Sequence, residues 1–389
     1  MADDLKYGRI IILGAGFSVN AGLPLGNELS RALIKHIQVD HEKDSPLTLD
    51  LETYLYYRQR ADGIKISPEQ VDIEDFVSYL DIEHFLGLKG SDTWSREGNK
   101  GQILIKRFIG KYIHERTPLA GSIPQSYLDF ASQLQPGDYV LTFNYDVLLE
   151  RSLDQINRQY KLFPTRYTSV DEHSGTVDTS REEITILKMH GSVDWFEKTS
   201  FNSMRESFIR QGHEDMIPTH AIFADERKFK PKPIVDGPRY PDDPLIDIYR
   251  IPDPDFFYCH PEPLETPWIL PPSHSKILYS PSVHEFWYGI GQAGGWNLGL
   301  AIIGFSLPKH DEYLRQAVYS LVRNYQESWW DDDFAGKKKC KIKIIDHIQD
   351  DESKQRFKDR YKFVDWSKTE LVETGFNQSS VNTVFTIDH

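Results

Sequence analysis

The residues of this chain best suited to binding a ligand lie in a loop close to its start. Residues 10–13 are four branched apolar residues, which predicts a buried strand, and a glycine-containing loop follows directly. In a parallel sheet such a loop brings backbone N–H groups to a phosphate, because glycine lets the backbone approach closely. The alternative is that the glycines only permit tight packing of the strand against a helix. We predict dinucleotide binding at this loop, which consists of Gly14, Ala15, Gly16, Phe17 and Ser18.

Further candidate residues end or follow later predicted strands. Residues 138–143, 184–189, 298–303 and 341–345 are predicted strands, and the fourth is predicted to be the last strand of the chain. Because ligands of such folds gather at the carboxyl ends of the strands, we expect the residues at these ends to lie near the first loop. The candidates are Thr142, Asn144, Asp146, His190, Gly304, Phe305, Ser306 and Asp346.

Several of these candidates also have a purely structural interpretation. Asn144 could be the N-cap of the helix that follows its strand, with Asp146 in the first turn, because both residue types are common there. Ser306 could likewise be only a helix cap. A histidine at the end of a strand, such as His190, is usually structural. Asp346 could bind a ribose hydroxyl or have no ligand.

The motifs of several common enzyme classes are missing. The dinucleotide fingerprint of dehydrogenases requires a third glycine, and Val19 occupies that position. The acidic residue expected about 20 positions further on has no clear counterpart. The chain also has no Gly-x-x-x-x-Gly-Lys-Ser/Thr run and no His-Glu-x-x-His run. Hydride transfer is therefore poorly supported, and we expect any ATP chemistry to come from another chain.

Alternating strands and helices predict an α/β fold, a Rossmann-like parallel sheet flanked by helices. Between the first two strands, residues 46–135 carry helical patterns and are predicted to be a helical insertion. Residues 197–281 are predicted to be a loop-rich insertion, because 14 of the 22 prolines fall between Pro218 and Pro281. We expect residues 1–389 to form one catalytic domain with these two insertions.

Composition limits the environment and the partners of the protein. The formal net charge of -14 argues against binding nucleic acid or an anionic membrane with the general surface. The start of the chain lacks the apolar core of a signal peptide, and no apolar run approaches the length of a membrane span. Cys259 and Cys340 are the only cysteines, too few for a four-cysteine zinc site. We expect a cytoplasmic protein with reduced thiols and no structural zinc.

Taken in order, the candidate groups resemble the motifs of the sirtuin family. Sirtuins have Gly-Ala-Gly-x-Ser, then Gly-Ile-Pro, Thr-Gln-Asn-Ile-Asp, His-Gly and Gly-Thr-Ser. This chain has Gly-Ala-Gly-Phe-Ser from Gly14, Gly-Leu-Pro from Gly22, Thr-Phe-Asn-Tyr-Asp from Thr142, His-Gly from His190 and Gly-Phe-Ser from Gly304. The resemblance covers about half of the chain, and it is closer still to bacterial sirtuin-like domains of antiphage defence.

The departures from the sirtuin pattern affect the part that handles a protein substrate. Leu25, Gly26 and Asn27 stand where sirtuins have Asp-Phe-Arg, and Phe143 replaces the glutamine of Thr-Gln-Asn. The four-cysteine zinc module that supports the acyl-lysine cleft of sirtuins cannot be formed. The proline-rich insertion occupies its usual place.

The resemblance implies roles for the matched residues. Asp146 would bind the carboxamide of NAD⁺, Asn144 would contact the ribose and hold the attacking oxygen, and His190 would be the general base. The loop from Gly14 to Ser18 would hold the diphosphate, with a contact from Ser306. Without an acyl-lysine cleft, water is the expected acceptor. The expected activity is hydrolysis of NAD⁺ to ADP-ribose and nicotinamide.

Two other functions remain open at the level of sequence, a protein deacylase and a non-catalytic sensor of NAD⁺ or ADP-ribose. The missing zinc module argues against the first, and the presence of Asn144 and His190 argues against the second. The resemblance also implies an antiphage effector that depletes NAD⁺ and must be restrained. We therefore expect a homo-oligomer and a separate regulatory protein, such as a HerA-like ATPase or another sensor.

Overall fold

A parallel sheet of seven strands forms the centre of the protein. The computed structural model describes residues 8–40, 45–90, 98–217, 222–224, 226–259, 266–274, 281–308, 311–330 and 338–386. The strands of these residues are β1 (Arg9–Leu13), β2 (Tyr139–Thr142), β3 (Tyr160–Lys161), β4 (Tyr167–Val170), β5 (Gly175–Val177), β6 (Ile184–Lys188), β7 (Trp195–Glu197), β8 (Lys232–Pro233), β9 (Ile248–Arg250), β10 (Gly299–Ile303), β11 (Ile342–Ile345) and β12 (Thr369–Val372).

The order across the main sheet is β12-β11-β10-β1-β2-β6-β3, and every neighbouring pair is parallel. Helices flank this sheet, so the predicted Rossmann-like α/β class is confirmed. The central strands are almost wholly apolar and buried, as expected when both faces of a parallel sheet are covered. The chain adds strands on one side of β1 and later on the other, so the order reverses between β1 and β10. Ligands of open α/β sheets bind at such a reversal.

The helices differ widely in length and are distributed along the whole chain. They are α1 (Ala15–Ser18), α2 (Gly26–Asp40), α3 (Pro46–Ala61), α4 (Ile73–Phe85), α5 (Lys100–His114), α6 (Gln125–Gln133), α7 (Leu148–Gln155), α8 (Thr199–Arg210), α9 (Glu226–Phe229), α10 (Asp255–Cys259), α11 (Pro281–Trp287), α12 (Glu312–Glu327), α13 (Asp351–Arg360) and α14 (Gln378–Phe385). None of them, within the described ranges, is long and apolar enough to cross a membrane.

The segment between β1 and β2 consists mainly of helices α3 to α6. Capping side chains define several of its helix starts. Ser45 precedes Pro46 and accepts a hydrogen bond from the Thr48 N–H, and Asp72 accepts one from the Glu74 N–H. These hydrogen bonds define where α4 starts, and this start borders the cavity described below.

The segment of residues 197–281 contains regular structure despite its prolines. Strands β7, β9 and β8 form a small antiparallel sheet, and α8 spans 12 residues ahead of the first proline. A second apolar cluster lies beneath this sheet, separate from the main core. Its buried members are Phe196, Phe201, Ile222, Phe223, Phe229, Ile251, Phe257 and Tyr258.

The end of the chain differs from the sequence prediction. The strand predicted at residues 341–345 is present as β11, but the expectation that it is the last strand is wrong, because β12 follows, pairs with β11 and forms an edge of the main sheet. β12 has only four residues, and three of them are half-buried. An edge strand needs no continuous apolar run, which explains why the pattern of the sequence missed it.

Candidate functional site

The strand ends of the main sheet are in register and border one large cavity. Leu13 pairs with both Thr142 and Ile303, Thr142 pairs with Lys188, and Ile303 pairs with Ile345. The loops after five strands therefore start at one level. They open into a cavity of about 990 Å³, at the top of the range for small-molecule sites. We call it the main cavity.

Nine of the predicted site residues line the main cavity. They are Gly14, Ala15, Gly16, Asn144, His190, Gly304, Phe305, Ser306 and Asp346. The other four, Phe17, Ser18, Thr142 and Asp146, are buried and do not line it. The structure thus brings nine predicted residues together around one space and places four behind its wall.

The loops after β1 and β10 are in close backbone contact. The Gly16 N–H donates a hydrogen bond of 2.9 Å to the Gly304 carbonyl, and a Cβ on Gly16 would lie 2.7 Å from Gly304 Cα. The glycines therefore permit close packing of the two loops, and phosphate binding at the first loop stays a prediction. The N–H groups of Gly14 and Phe17 also donate to carbonyls of the protein. Three of the five amides of the first loop thus already have protein partners: two donate to β10 and the loop after it, and that of Phe17 donates within the first loop.

The side chain of Asn144 connects the loop after β2 to the loop after β1. Its Nδ2 donates to the Gly14 carbonyl at 3.0 Å and to Ser18 Oγ at 3.1 Å. The N-cap interpretation of Asn144 is wrong, because α7 begins at Leu148 and its cap position is Val147. Asn144 is instead fixed at the cavity wall by groups of the first loop.

Ser18 and Asp146 form the layer behind Asn144. Ser18 Oγ donates to Asp146 Oδ2 at 2.9 Å, while Asp146 Oδ1 accepts from the Leu148 N–H at 3.0 Å. One carboxylate thus holds the Ser18 hydroxyl and the start of α7 together. Its predicted contact with a carboxamide stays a prediction, and both residues lie behind the wall of the cavity.

A buried ion pair lies beneath this layer. Lys188 Nζ is 2.9 Å from Glu150 Oε1, and the two side chains are 0% and 3% exposed. The same ammonium group donates to the backbone carbonyl of Asp146. Burial raises the pKa of the Glu150 carboxyl, and the positive charge of Lys188 opposes this shift. The pair therefore ties β6 and α7 to the loop that carries Asn144.

His190 lies at the cavity wall and faces the hydroxyl of Tyr313. Its Nε2 is 3.1 Å from Tyr313 Oη, and its ring contacts the edge of the Phe143 ring at 5.2 Å between centroids. Burial raises the pKa of Tyr313, so this hydroxyl keeps its proton. Tyr313 had no signal in the sequence, because it is 123 residues away from His190.

The loop after β10 contributes an aromatic ring to the wall. Phe305 stacks on Phe143 with 4.6 Å between the ring centroids and 14° between the planes. Phe143, the residue that departs from the sirtuin motif, therefore has a packing role here. Ser306 is exposed, and its helix-cap interpretation is wrong because α12 starts at Glu312 with Asp311 at the cap position.

Opposite charges line the two ends of the main cavity. Near His190, the carboxylates of Glu74 and Asp311 both raise the pKa of Tyr313, after the larger effect of burial. At the other end lie Asp346 and two arginines of α13, Arg356 and Arg360. Burial raises the pKa of Asp346.

The two arginines of α13 differ in their partners. Arg356 forms an ion pair with Glu352 one helical turn away. Arg360 has no ion-pair partner among the described residues, and its buried Nε has no hydrogen-bond partner there. Sequence reasoning missed this end of the cavity, because α13 has the composition of a solvent-exposed helix.

The cysteines and the acidic clusters offer no metal centre that we can identify in the described part of the chain. Cys259 is exposed and Cys340 is buried, and both are free thiols. No group of three or more His, Cys, Asp or Glu side chains in the described residues is arranged to hold an ion. The absence of zinc stays a prediction.

No curated protein matches the sequence. A solved structure described as "The Structural basis of Sirtuin Substrate Affinity" is 12% identical, with a TM-score of 0.33 over 97% of this chain and 92% of that one. The family of SIR2-like domains matches residues 138–230, which include Asn144, Asp146 and His190. Over these residues the chain is therefore similar to a SIR2-like domain.

Proposed function

We propose that this protein is an NAD⁺ glycohydrolase, which cleaves NAD⁺ with water to ADP-ribose and nicotinamide. The main observation in support of the proposal is the main cavity. Asn144, His190 and the loops after β1 and β10 lie together there, between an acidic and a basic end. NAD⁺ has a cationic nicotinamide ring and an anionic diphosphate. The acidic end beside His190 suits the ring, and the arginines of α13 suit the phosphates.

The reaction breaks the bond between nicotinamide and ribose C1′. The bonding electron pair leaves with nicotinamide, which becomes neutral, so no general acid is needed. The carbon passes through an oxocarbenium-like state, as in glycoside cleavage. Water attacks C1′ and its proton passes to His190, while Asn144 holds the attacking water. Glu74 and Asp311 stabilise the positive charge at the reacting sugar.

Water is the proposed acceptor because the features of a protein-substrate cleft are missing from the sequence. Sirtuins support their acyl-lysine cleft with a four-cysteine zinc module, and this chain has only two cysteines. The proline-rich segment takes the place of that module in the sequence.

The biological role that we propose is antiphage defence by depletion of NAD⁺ in the cytoplasm. This part of the proposal rests on the resemblance stated above. An enzyme that destroys NAD⁺ must be restrained, so we propose that it works as a homo-oligomer together with a separate regulator, a HerA-like ATPase or another sensor. We propose no direct contact of this chain with nucleic acid or a membrane.

The decisive experiment incubates the purified chain with NAD⁺, with and without the product of its neighbouring gene, and identifies the products. We expect nicotinamide and ADP-ribose in equal amounts. Replacing the base by His190→Ala should reduce turnover by about 10²–10⁴-fold. Asn144→Ala should also remove most of the turnover, because the attacking water is no longer held.

A matched control separates catalysis from folding. Asn297 Nδ2 donates to the Gly8 carbonyl at 2.9 Å, so Asn297→Ala removes a similar bond far from the main cavity. Its turnover should equal that of the wild type. Full NAD⁺ cleavage by a folded Asn144→Ala protein would show that the residue is wrongly assigned. Absence of NAD⁺ cleavage under every condition would overturn the proposed function.

A further inference from the structure

A second cavity lies on the far side of β6 from the main cavity. It has a volume of about 400 Å³ and is bordered by strands β3, β8 and β9, at the place where the edge of the main sheet meets the small antiparallel sheet. This volume falls within the range of small-molecule sites. None of the residues at its wall belongs to the main cavity.

The wall of the second cavity is rich in positive charge, although the whole chain carries -14. Three carboxylates line it, those of Asp154, Glu183 and Asp236. The cationic residues are twice as many: Arg158, Lys161, Arg166, Arg181, Lys232 and Arg250. Such a local excess of one sign of charge in a concave site attracts a ligand of the opposite sign.

Two of these cations are neutralised within the protein. Arg166 forms ion pairs with Asp178 at 3.0 Å and Glu183 at 2.8 Å. Arg250 forms ion pairs with Asp194 at 2.8 Å and Asp154 at 3.7 Å. These ion pairs use Asp154 and Glu183, two of the three carboxylates at the wall of the second cavity.

Three of the remaining cations have no carboxylate within 4 Å among the described residues. Arg158 and Lys161 donate only to backbone carbonyls, those of Ser132 and Leu134 for Arg158 and that of Pro164 for Lys161. Lys232 is exposed on β8. Burial lowers the pKa of Lys161, the carboxylate of Glu183 opposes this shift, and the nearby positive charge of Arg166 adds a smaller lowering effect. An anion would relieve this repulsion.

Apolar side chains complete the second cavity. The ring of Phe163 lies at the wall with Leu162, Ile234 and Val235, and the Tyr160 ring packs under the guanidinium of Arg250. A flat organic group can rest against such a surface while its charged end meets the cations.

We propose that the second cavity binds a small phosphate-bearing anion and is a site separate from the one that cleaves NAD⁺. The excess of positive charge favours an anion, and the volume of the cavity fits a small molecule. The apolar part of the wall favours a nucleotide over free polyphosphate. This site does not depend on the proposed function, because no step of NAD⁺ cleavage passes through it.

The test is calorimetric titration of the full chain with ATP, without added divalent metal, and in a parallel arm with inorganic triphosphate. The double variant Arg181→Glu/Lys232→Glu reverses two exposed charges of the second cavity. The matched control, Arg31→Glu/Arg356→Glu, makes the same change in net charge at the wall of the main cavity. We expect the first variant to weaken ATP binding by roughly tenfold or more and the control to leave that binding event unchanged.

The alternative results are distinct. If ATP binding is weakened equally in both double variants, the effect is general charge attraction and the proposal is overturned. Weaker ATP binding in the control alone would also overturn it, and so would the absence of binding to either ATP or triphosphate. Tighter binding of ATP than of triphosphate supports a nucleotide site, and equal binding assigns it to the phosphates alone. The single variant Lys232→Ala repeats the test with a smaller change, should the double variant fail to fold. None of these measurements uses NAD⁺ turnover, so the proposed function can fail independently.

Discussion

At the scale of single residues, the hydroxyl of Tyr313 is the group that the structure adds to the predicted site. It lies 3.1 Å from His190 Nε2, and its ring packs against Trp287. A hydroxyl that accepts a hydrogen bond from Nε2–H favours the neutral tautomer in which Nδ1 is the nitrogen that accepts a proton. Tyr313 is therefore a positioning residue for the proposed base.

Replacing this hydroxyl should reduce turnover without changing the binding of substrate. We expect Tyr313→Phe to lower kcat by about 3–10-fold, the value of one hydrogen bond, with KM unchanged. The acid limb of the pH profile should move to lower pH, because the imidazolium form of His190 loses the acceptor of its Nε2–H. Tyr325→Phe is the control, since Tyr325 Oη donates to the Leu298 and Cys340 carbonyls away from the main cavity. An unchanged pH profile would contradict this role.

At the scale of elements, the crossing of the loops after β1 and β10 controls the shape of the main cavity. Gly304 has a φ of +58°, and a Cβ at this position would lie 2.5 Å from Gly16 Cα. The conformation and the contact both exclude a side chain. Gly26 also lines the main cavity, but its φ is not left-handed and a Cβ there would meet nothing within 4 Å.

This contrast gives a prediction within one cavity. Gly304→Ala should lower the free energy of unfolding by about 2–4 kcal/mol, the sum of left-handed strain and overpacking. Gly26→Ala should be neutral or slightly stabilising, because alanine favours the helix. Urea denaturation of the two variants measures both values. Equal stability of the two would show that the loops can separate without cost.

The pair Lys188–Glu150 joins β6 and α7 beneath the loop that carries Asn144. Lys188→Met leaves a buried carboxylate without its partner and should lower the free energy of unfolding by about 3–5 kcal/mol. The double variant Lys188→Met/Glu150→Leu should recover most of this loss, because two apolar side chains replace two buried charges. Denaturant titration compares the three proteins. A double variant as unstable as the single one would show that Glu150 is not the main cause of the loss.

At the scale of the whole molecule, many tyrosine side chains are buried, and their pKa values are raised. Burial is the largest cause of the raised pKa in each of six, Tyr127, Tyr145, Tyr160, Tyr258, Tyr313 and Tyr361. Above about pH 10 the unfolded chain loses these protons while the folded protein keeps them. The folded state then binds more protons, so its stability falls as the pH rises.

The expected loss is about 1.4 kcal/mol per pH unit for each such tyrosine. Unfolding free energies between about pH 8 and pH 11 should therefore fall steeply above pH 10, and tyrosinate absorbance should appear together with unfolding. A replacement such as Tyr361→Phe should make the alkaline fall less steep. Tyrosinate that forms well before the loss of structure would contradict this prediction.

The sequence predicted strands correctly where several consecutive residues are apolar and buried. The apolar runs of β1, β10 and β11 predict central parallel strands, and the residues that follow them lie together as expected. What could not be predicted depends on contacts between distant segments, such as Tyr313 with His190, or on short and half-exposed elements such as β12. The use of the Gly16 amide in loop packing could not be predicted either, because its partner, the Gly304 carbonyl, is almost 290 residues away in the sequence.

The order of the strands in the main sheet has a consequence for synthesis of the protein on the ribosome. β1 is made before β10, which is one of its two neighbours, and the basic end of the main cavity belongs to α13, which is made after both strands. A nascent chain therefore has no complete cavity until α13 has emerged. Under the proposed function, a chain that stops before α13 would therefore lack the groups that suit the phosphates of NAD⁺.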